Sequence, residues 1–152
     1  MSASQFTAHT GQISRAGLKR FLIALAAAGL FANALYMLAD PLGWYDAVKG
    51  VPDTGPFNPH FVRDIGVSFL TTALTTAAAA RWLRLAWPLL CTVALYLGLH
   101  ALLHLWDIAA GRLEPGHLLI DAPGVFLPVF AMAALALWVR RDHDIWPFKE
   151  RR

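Results

Sequence analysis

His100, His104 and Asp107 hold the clearest potential for chemistry in this sequence. At 100° per residue they fall within about 60° of one another, so a helix presents two imidazoles and a carboxylate on one face. Tyr96 lies one turn away on that face, and His60 with Asp64 forms a second i, i+4 pair. Thr71 and Thr75 continue down roughly the side that His60 and Asp64 occupy. His100, His104 and Asp107 can offer three ligands to a metal ion, and His60 with Asp64 can complete the set from a facing helix. Mixed imidazole and carboxylate ligands suit a divalent metal such as zinc, iron or copper(II) better than copper(I), which prefers sulfur. A b-type haem held by two histidines is a less natural occupant among so many polar neighbours. A His–Asp pair can also hold one imidazole tautomer and handle protons.

The same residues have a plainer use. Each histidine can bond an aspartate while Arg63 neutralises another, and polar pairs of this kind join helices within membranes without any ligand. The pairs Thr71-Thr72 and Thr75-Thr76 are expected to bond their own i−4 carbonyls. HExxH, GxSxG, P-loop and GxGxxG patterns are absent, and no catalytic residue or substrate is identified. Cys91 is the one cysteine, which leaves no intramolecular disulfide and no CxxC chemistry.

The elements that position these residues follow from composition. Of 152 residues, 57% are hydrophobic and only 15% charged, too few charges to cover a soluble domain of this size. The apolar residues come in four blocks of about 20, each long enough to cross ~30 Å of hydrocarbon as a helix. Without water only a helix satisfies the backbone over such a run. The expected fold is therefore all-α: an antiparallel bundle of four transmembrane helices over 21–39, 59–80, 85–106 and 118–139. A cytoplasmic N-terminal segment, 1–20, precedes this domain (21–139), and a cytoplasmic tail, 140–152, follows it.

Charge orients the bundle. Arg15, Lys19 and Arg20 precede the first block, Arg81 and Arg84 separate the second from the third, and Arg140, Arg141, Lys149, Arg151 and Arg152 follow the fourth. Ten of the 13 basic residues thus share a side with both termini, leaving Lys49, Arg63 and Arg112 opposite. The positive-inside rule makes that side cytoplasmic and turns the 40–60 and 107–121 loops outward. These charges orient the chain in a lipid bilayer, and nothing points to nucleic acid. Ala32-Asn33-Ala34 fits a signal-peptidase site, but the long leader and continuing apolar run favour a retained helix.

Local signals refine the elements. Asn58 is the expected N-cap of the second helix, with Pro59 as its first residue and His60 in its first turn. Asp40-Pro41 ends the first helix, and the glycines and prolines of 40–58 predict a compact, turn-rich cover. Residues 81–85 form a tight turn. Asp121 is expected to cap the fourth helix, with Pro123 in its first turn and Pro128 kinking it. With this topology His60, Arg63, Asp64, His100, His104, Asp107, His117, Asp121 and Asp40 all gather at the outer end. His100 lies about 22 Å from the cytoplasmic start of its helix, inside the hydrocarbon. An imidazole there is costly without a partner. His9 and His143 fall in the tails.

The stretch Gly55-Pro56-Phe57-Asn58-Pro59-His60-Phe61-Val62-Arg63-Asp64-Ile65-Gly66 resembles the second-helix entry of small bacterial membrane proteins similar to the DoxX-like superfamily. An arginine–acid–x–glycine pattern, here Arg63, Asp64 and Gly66, begins that helix in the superfamily. The resemblance implies a four-helix protein of a bacterial inner membrane. Some members accompany redox enzymes, which implies a quinone- or partner-facing role. His100 and His104 lie outside the pattern. Two functional expectations follow: a metal- or proton-handling site at the periplasmic end, or a non-catalytic subunit that assembles with a membrane partner or with itself.

Overall fold

The computed structural model describes residues 15–141, and every regular element among them is helical. The expectations for 1–14 and 142–152, His9 and His143 included, lie outside the described residues. Helix α1 spans Arg15–Ala39 and the short α2 spans Pro41–Ala47. A 3-10 turn at Val51–Thr54 precedes α3, Pro59–Arg81. A second 3-10 turn, Leu83–Leu85, leads into α4, Ala86–Ala109. The last helical run comprises α5 (His117–Asp121), a π-helical turn (Ala122–Phe126) and α6 (Leu127–Arg140).

Three of these runs, Arg15–Ala39, Leu83–Ala109 and His117–Arg140, are long and apolar enough to cross a membrane. Helix α3 has the length but is diluted by Arg63, Asp64, Ser68 and four threonines. Those hydroxyls are satisfied within the helix: Thr71, Thr72, Thr75 and Thr76 donate to the carbonyls of Val67, Ser68, Thr71 and Thr72 at 2.8–3.0 Å. Large apolar side chains stand exposed on every long helix, among them Phe21, Phe61, Leu95 and Phe130. That distribution suits a surface solvated by lipid and not by water.

The helix boundaries follow local chemistry. Asn58 Oδ1 accepts from the amides of His60 and Phe61, and Pro59 opens α3 as expected. Asp40 ends α1, and its Oδ1 accepts from the Gly43 amide to start α2, so the 40–58 segment is partly helical where turns were expected. Helix α4 ends in a Schellman motif: Gly111 at φ 71° lets the Arg112 amide reach the Asp107 carbonyl at 2.8 Å.

The fourth apolar block differs from its sequence reading. Its helix begins at His117, so Asp121 lies inside the helical run and caps nothing. The distortion expected near Pro128 is the π-helical turn just before it. Pro123 and Pro128 cannot donate to the carbonyls of Leu119 and Gly124, and two missing bonds so close together let the turn widen.

Cationic side chains tie the helices at their ends. Arg20 Nη1 donates to the carbonyls of Ala80 and Arg81 at the end of α3, both at 2.9 Å. Lys19, fully buried, donates to the Trp138 carbonyl near the end of α6 and lies over the Trp138 ring. Arg140 of α6 stacks on Trp87 at the start of α4. These contacts place the starts of α1 and α4 beside the ends of α3 and α6. At the other end of the molecule Arg63 Nε approaches the Leu38 carbonyl at 3.5 Å, in the last turn of α1. Lys19, Arg20 and Arg63 each meet the negative end of a helix dipole in this way. Helix α1 packs mainly on α3 and α6 mainly on α4, with α3–α4 contacts joining the pairs; α1 and α6 touch sparingly.

Candidate functional site

The sparse contact between α1 and α6 leaves a cavity of about 730 Å³ at the end of the molecule away from Lys19 and Arg20. Its walls are apolar: Leu30 and Met37 of α1, Val62 and Phe69 of α3, and Val125 and Met132 beyond the last loop. The segment 44–58 covers it. That cover is pinned by Trp44 Nε1 donating to Asn33 Oδ1 at 2.9 Å and by Tyr45 Oη donating to the Gly55 carbonyl at 2.7 Å. Gly50 permits the close seat of the cover on α5. It adopts φ 86°, and a Cβ there would come within 2.9 Å of Ile120 Cγ2 and 3.3 Å of His117 Cε1.

The polar groups on the wall are few and grouped. His104 Nδ1 lies 2.8 Å from Asp121 Oδ2, with side chains only 15% and 8% exposed. His100 sits one turn below, its ring 4.8 Å from that of His104 and edge-on to Phe69 at 6.1 Å. No hydrogen bond holds the His100 ring among the described residues. An ionised carboxylate only accepts, so against ionised Asp121 the His104 proton sits on Nδ1 and Nε2 is left as a free base. The π-helical turn begins directly after Asp121, and the local widening sets this carboxylate against α4.

The residues singled out from the sequence do not stay together. His100, His104 and Asp121 come together at the cavity. His60 and Asp64 pair with each other at 3.4 Å on the exposed side of α3, 82% and 56% exposed, and do not face α4. Asp107 is held by Arg112 Nη1 at 2.8 Å, bound up in the Schellman turn. His117 is buried against Asp53 at 3.3 Å, its Nδ1 without a hydrogen-bond partner among the described residues. Tyr96 packs edge-on behind Phe69, Asp40 caps α2, and Arg63 serves the Leu38 carbonyl and, among the described residues, no aspartate.

The metal set expected from His60, Asp64, His100, His104 and Asp107 is therefore not assembled. Among the described residues no group of three or more His, Cys, Asp or Glu side chains is placed to hold a metal ion. The physical reason lies in α3, which turns Phe61, Val62 and Ile65 to the cavity and so turns His60 and Asp64 away. A haem between His100 and His104 is equally ill served, because adjacent rings on one helix cannot reach opposite faces of a porphyrin.

Asn33, Trp44 and Phe69 belong to the site, and sequence reading gave them no role there. Asn33, the polar residue within the apolar stretch of α1, was the available signal. No family model, curated protein or solved structure matches this chain.

Proposed function

We propose that this chain is a multi-pass membrane protein whose outer cavity is an acid–base site, with His104 exchanging a proton with a ligand held there. The observation that carries this reading is the buried 2.8 Å contact of His104 Nδ1 with Asp121 Oδ2 on the wall of an apolar cavity. A ligand O–H gives its proton to His104 Nε2, and the ligand is left as its conjugate base. Asp121 stabilises the resulting imidazolium through Nδ1–H, and His100 offers a further hydrogen bond to the ligand. A cavity of this size falls in the ~300–1,000 Å³ range of small-molecule sites. The dispersed carboxylates favour proton handling over a zinc, iron or copper centre.

The proposed setting is a bacterial inner membrane with four spans, α3 being the fourth, and both termini cytoplasmic. Its support is the length of α3, its internally satisfied threonines and the basic cluster of Lys19, Arg20, Arg81 and Arg140 at one end. A cytoplasmic reporter fused after Arg152 is expected to be active and a periplasmic one silent. The reverse pattern overturns the orientation. The kinship with DoxX-like proteins is part of the same proposal.

A chromogenic test separates this reading from that of a non-catalytic subunit whose polar groups only join helices. The probe is a 4-nitrophenol with a short alkyl chain, added to protein in phosphatidylcholine nanodiscs at a pH where the free probe is neutral. The wild type is expected to raise the phenolate absorbance. His104→Gln keeps a donor for Asp121 but supplies no base, and is expected to abolish the increase. Equal phenolate signals in the two proteins overturn the acid–base role and leave the polar groups structural.

A further inference from the structure

The cavity also bears on how a ligand would reach it and on what kind of molecule it would take. This rests on the acid–base reading for the site itself, but on separate observations for the route. Helices α1 and α6 both line the cavity yet touch sparingly, so one side of it lacks a packed wall. Gly29 on α1 and Gly124 in the π-helical turn both border the cavity, and a Cβ added to either meets nothing within 4 Å. Gly29 lies ten residues, about 15 Å, from the outer end of α1, at the depth of lipid chains. We propose that the cavity opens sideways into the bilayer between α1 and α6 and takes a single-chain amphiphile with an uncharged, hydroxyl-bearing head.

The head is set by the polar groups present. Among the described residues Asp121 has one donor, His104, and while Asp121 is ionised and the imidazole neutral the pair disfavours a head that arrives already as an anion. Lys49 is the cation on the wall, and it is exposed in the cover. The imidazoles of His100 and His104 are left with unfilled hydrogen-bonding capacity, and a hydroxyl can donate to one and accept from another. The chain is set by the apolar remainder of the cavity. A lipid tail gains little by exchanging bilayer for apolar protein, since both are equally apolar. Selectivity therefore resides in the head, whose hydrogen bonds to His100 and His104 are scarce within the membrane.

The test uses full-length protein in phosphatidylcholine nanodiscs and a dodecanol analogue bearing a photoreactive diazirine near the end of its chain. Labelling is expected on α1 around Gly29 and on α6 around Ala131, suppressed by excess dodecanol but not by dodecanoate or lysophosphatidylcholine. Gly29→Leu places a side chain in open space at the mouth and is expected to cut labelling about tenfold, equivalent to ~1.4 kcal/mol of affinity. Gly98→Leu on α4, also into open space but away from the cavity, is expected to leave it unchanged. Gly124→Leu repeats the mouth test from the other helix, and melting temperatures establish that each variant is folded.

Uniform labelling along lipid-facing positions without competition overturns the site. Full labelling of folded Gly29→Leu and Gly124→Leu overturns the lateral route. Stronger competition by dodecanoate or lysophosphatidylcholine than by dodecanol overturns the uncharged head. Dodecanol does not ionise, so cavity labelling without a nitrophenolate signal defeats the acid–base reading alone. A nitrophenolate signal without mouth-dependent labelling defeats lateral entry alone.

Discussion

Replacing His104 by alanine is expected to destabilise the protein more than replacing Asp121 by alanine, although the two variants remove opposite halves of one contact. The difference lies in what each leaves behind. Without His104, the Asp121 carboxylate keeps its place beside an apolar cavity with no donor, since His104 Nδ1 at 2.8 Å is its hydrogen-bond partner. Leaving a mostly buried ionised carboxylate without its donor costs more than the ~1–3 kcal/mol of an unsatisfied neutral group. Without Asp121, a neutral imidazole loses one acceptor, which costs about 1–3 kcal/mol. His104→Ala also takes a ring from the edge contact with His100. The carboxylate in His104→Ala is expected to escape its penalty by taking up a proton.

Two measurements check this. Unfolding in mixed micelles gives the ranking, and a cycle with the double alanine variant gives the coupling between the residues. Hydrogen bonds between membrane helices average only ~0.6 kcal/mol by such cycles, with a maximum near ~1.7. A pair with one ionised member is expected at or above that upper value. A coupling near the average defeats the view of a charge-assisted bond. Infrared difference spectra supply the second check: a protonated carboxyl band should appear in His104→Ala and vanish in His104→Ala/Asp121→Asn. The contact also has a structural task, because Asp121 borders the π-helical turn and His104 ties that irregular segment to α4.

Which parts of this site were legible beforehand depends on the range of the signals. The starts and ends of helices were local matters, and Asn58-Pro59 and Asp40-Pro41 act as their chemistry dictates. The His100–His104 pairing on one face of α4 needed only helical periodicity. The acid that joins them is another matter. Asp107 has the right spacing on the same helix, but the Gly111 turn folds Arg112 back onto it, leaving Asp121 to reach His104 from 17 residues away. His60 and Asp64 were misplaced for a related reason. Periodicity gives which residues share a face, while only packing decides which face of α3 meets its neighbours. Buried Lys19 follows the same logic: its basic character counted toward the end expected to be cytoplasmic, but its role on the Trp138 carbonyl depends on α6 arriving there.

The arginine–acid–x–glycine stretch now has a structural reading, and it yields the second large effect. Arg63 Nε approaches the Leu38 carbonyl, and Gly66 lies against the same turn of α1. A Cβ at Gly66 would stand 3.0 Å from Met37 Cβ and 3.2 Å from Leu38 Cγ, so the missing side chain is what lets α1 and α3 approach so closely. For Gly66→Ala two terms oppose. Alanine gains about 1 kcal/mol of helix propensity over glycine, and crowding against Met37 Cβ, which cannot swing away from its own backbone, costs about 1–3 kcal/mol. A net loss of no more than about 2 kcal/mol is expected. Gly66→Leu adds three further carbons at the same point for no more propensity than alanine supplies, so it should lose clearly more and force α1 off α3. Leu38→Ala removes the Cγ and Cδ2 atoms in the way and should restore part of the loss in the double variant. Met37 also lines the cavity, so the displaced helix should weaken the nitrophenolate signal even though His104 and Asp121 are untouched. If Gly66→Leu melts with the wild type, close approach is not why glycine stands there. If it melts early but Leu38→Ala restores nothing, the crowding lies elsewhere than at the last turn of α1.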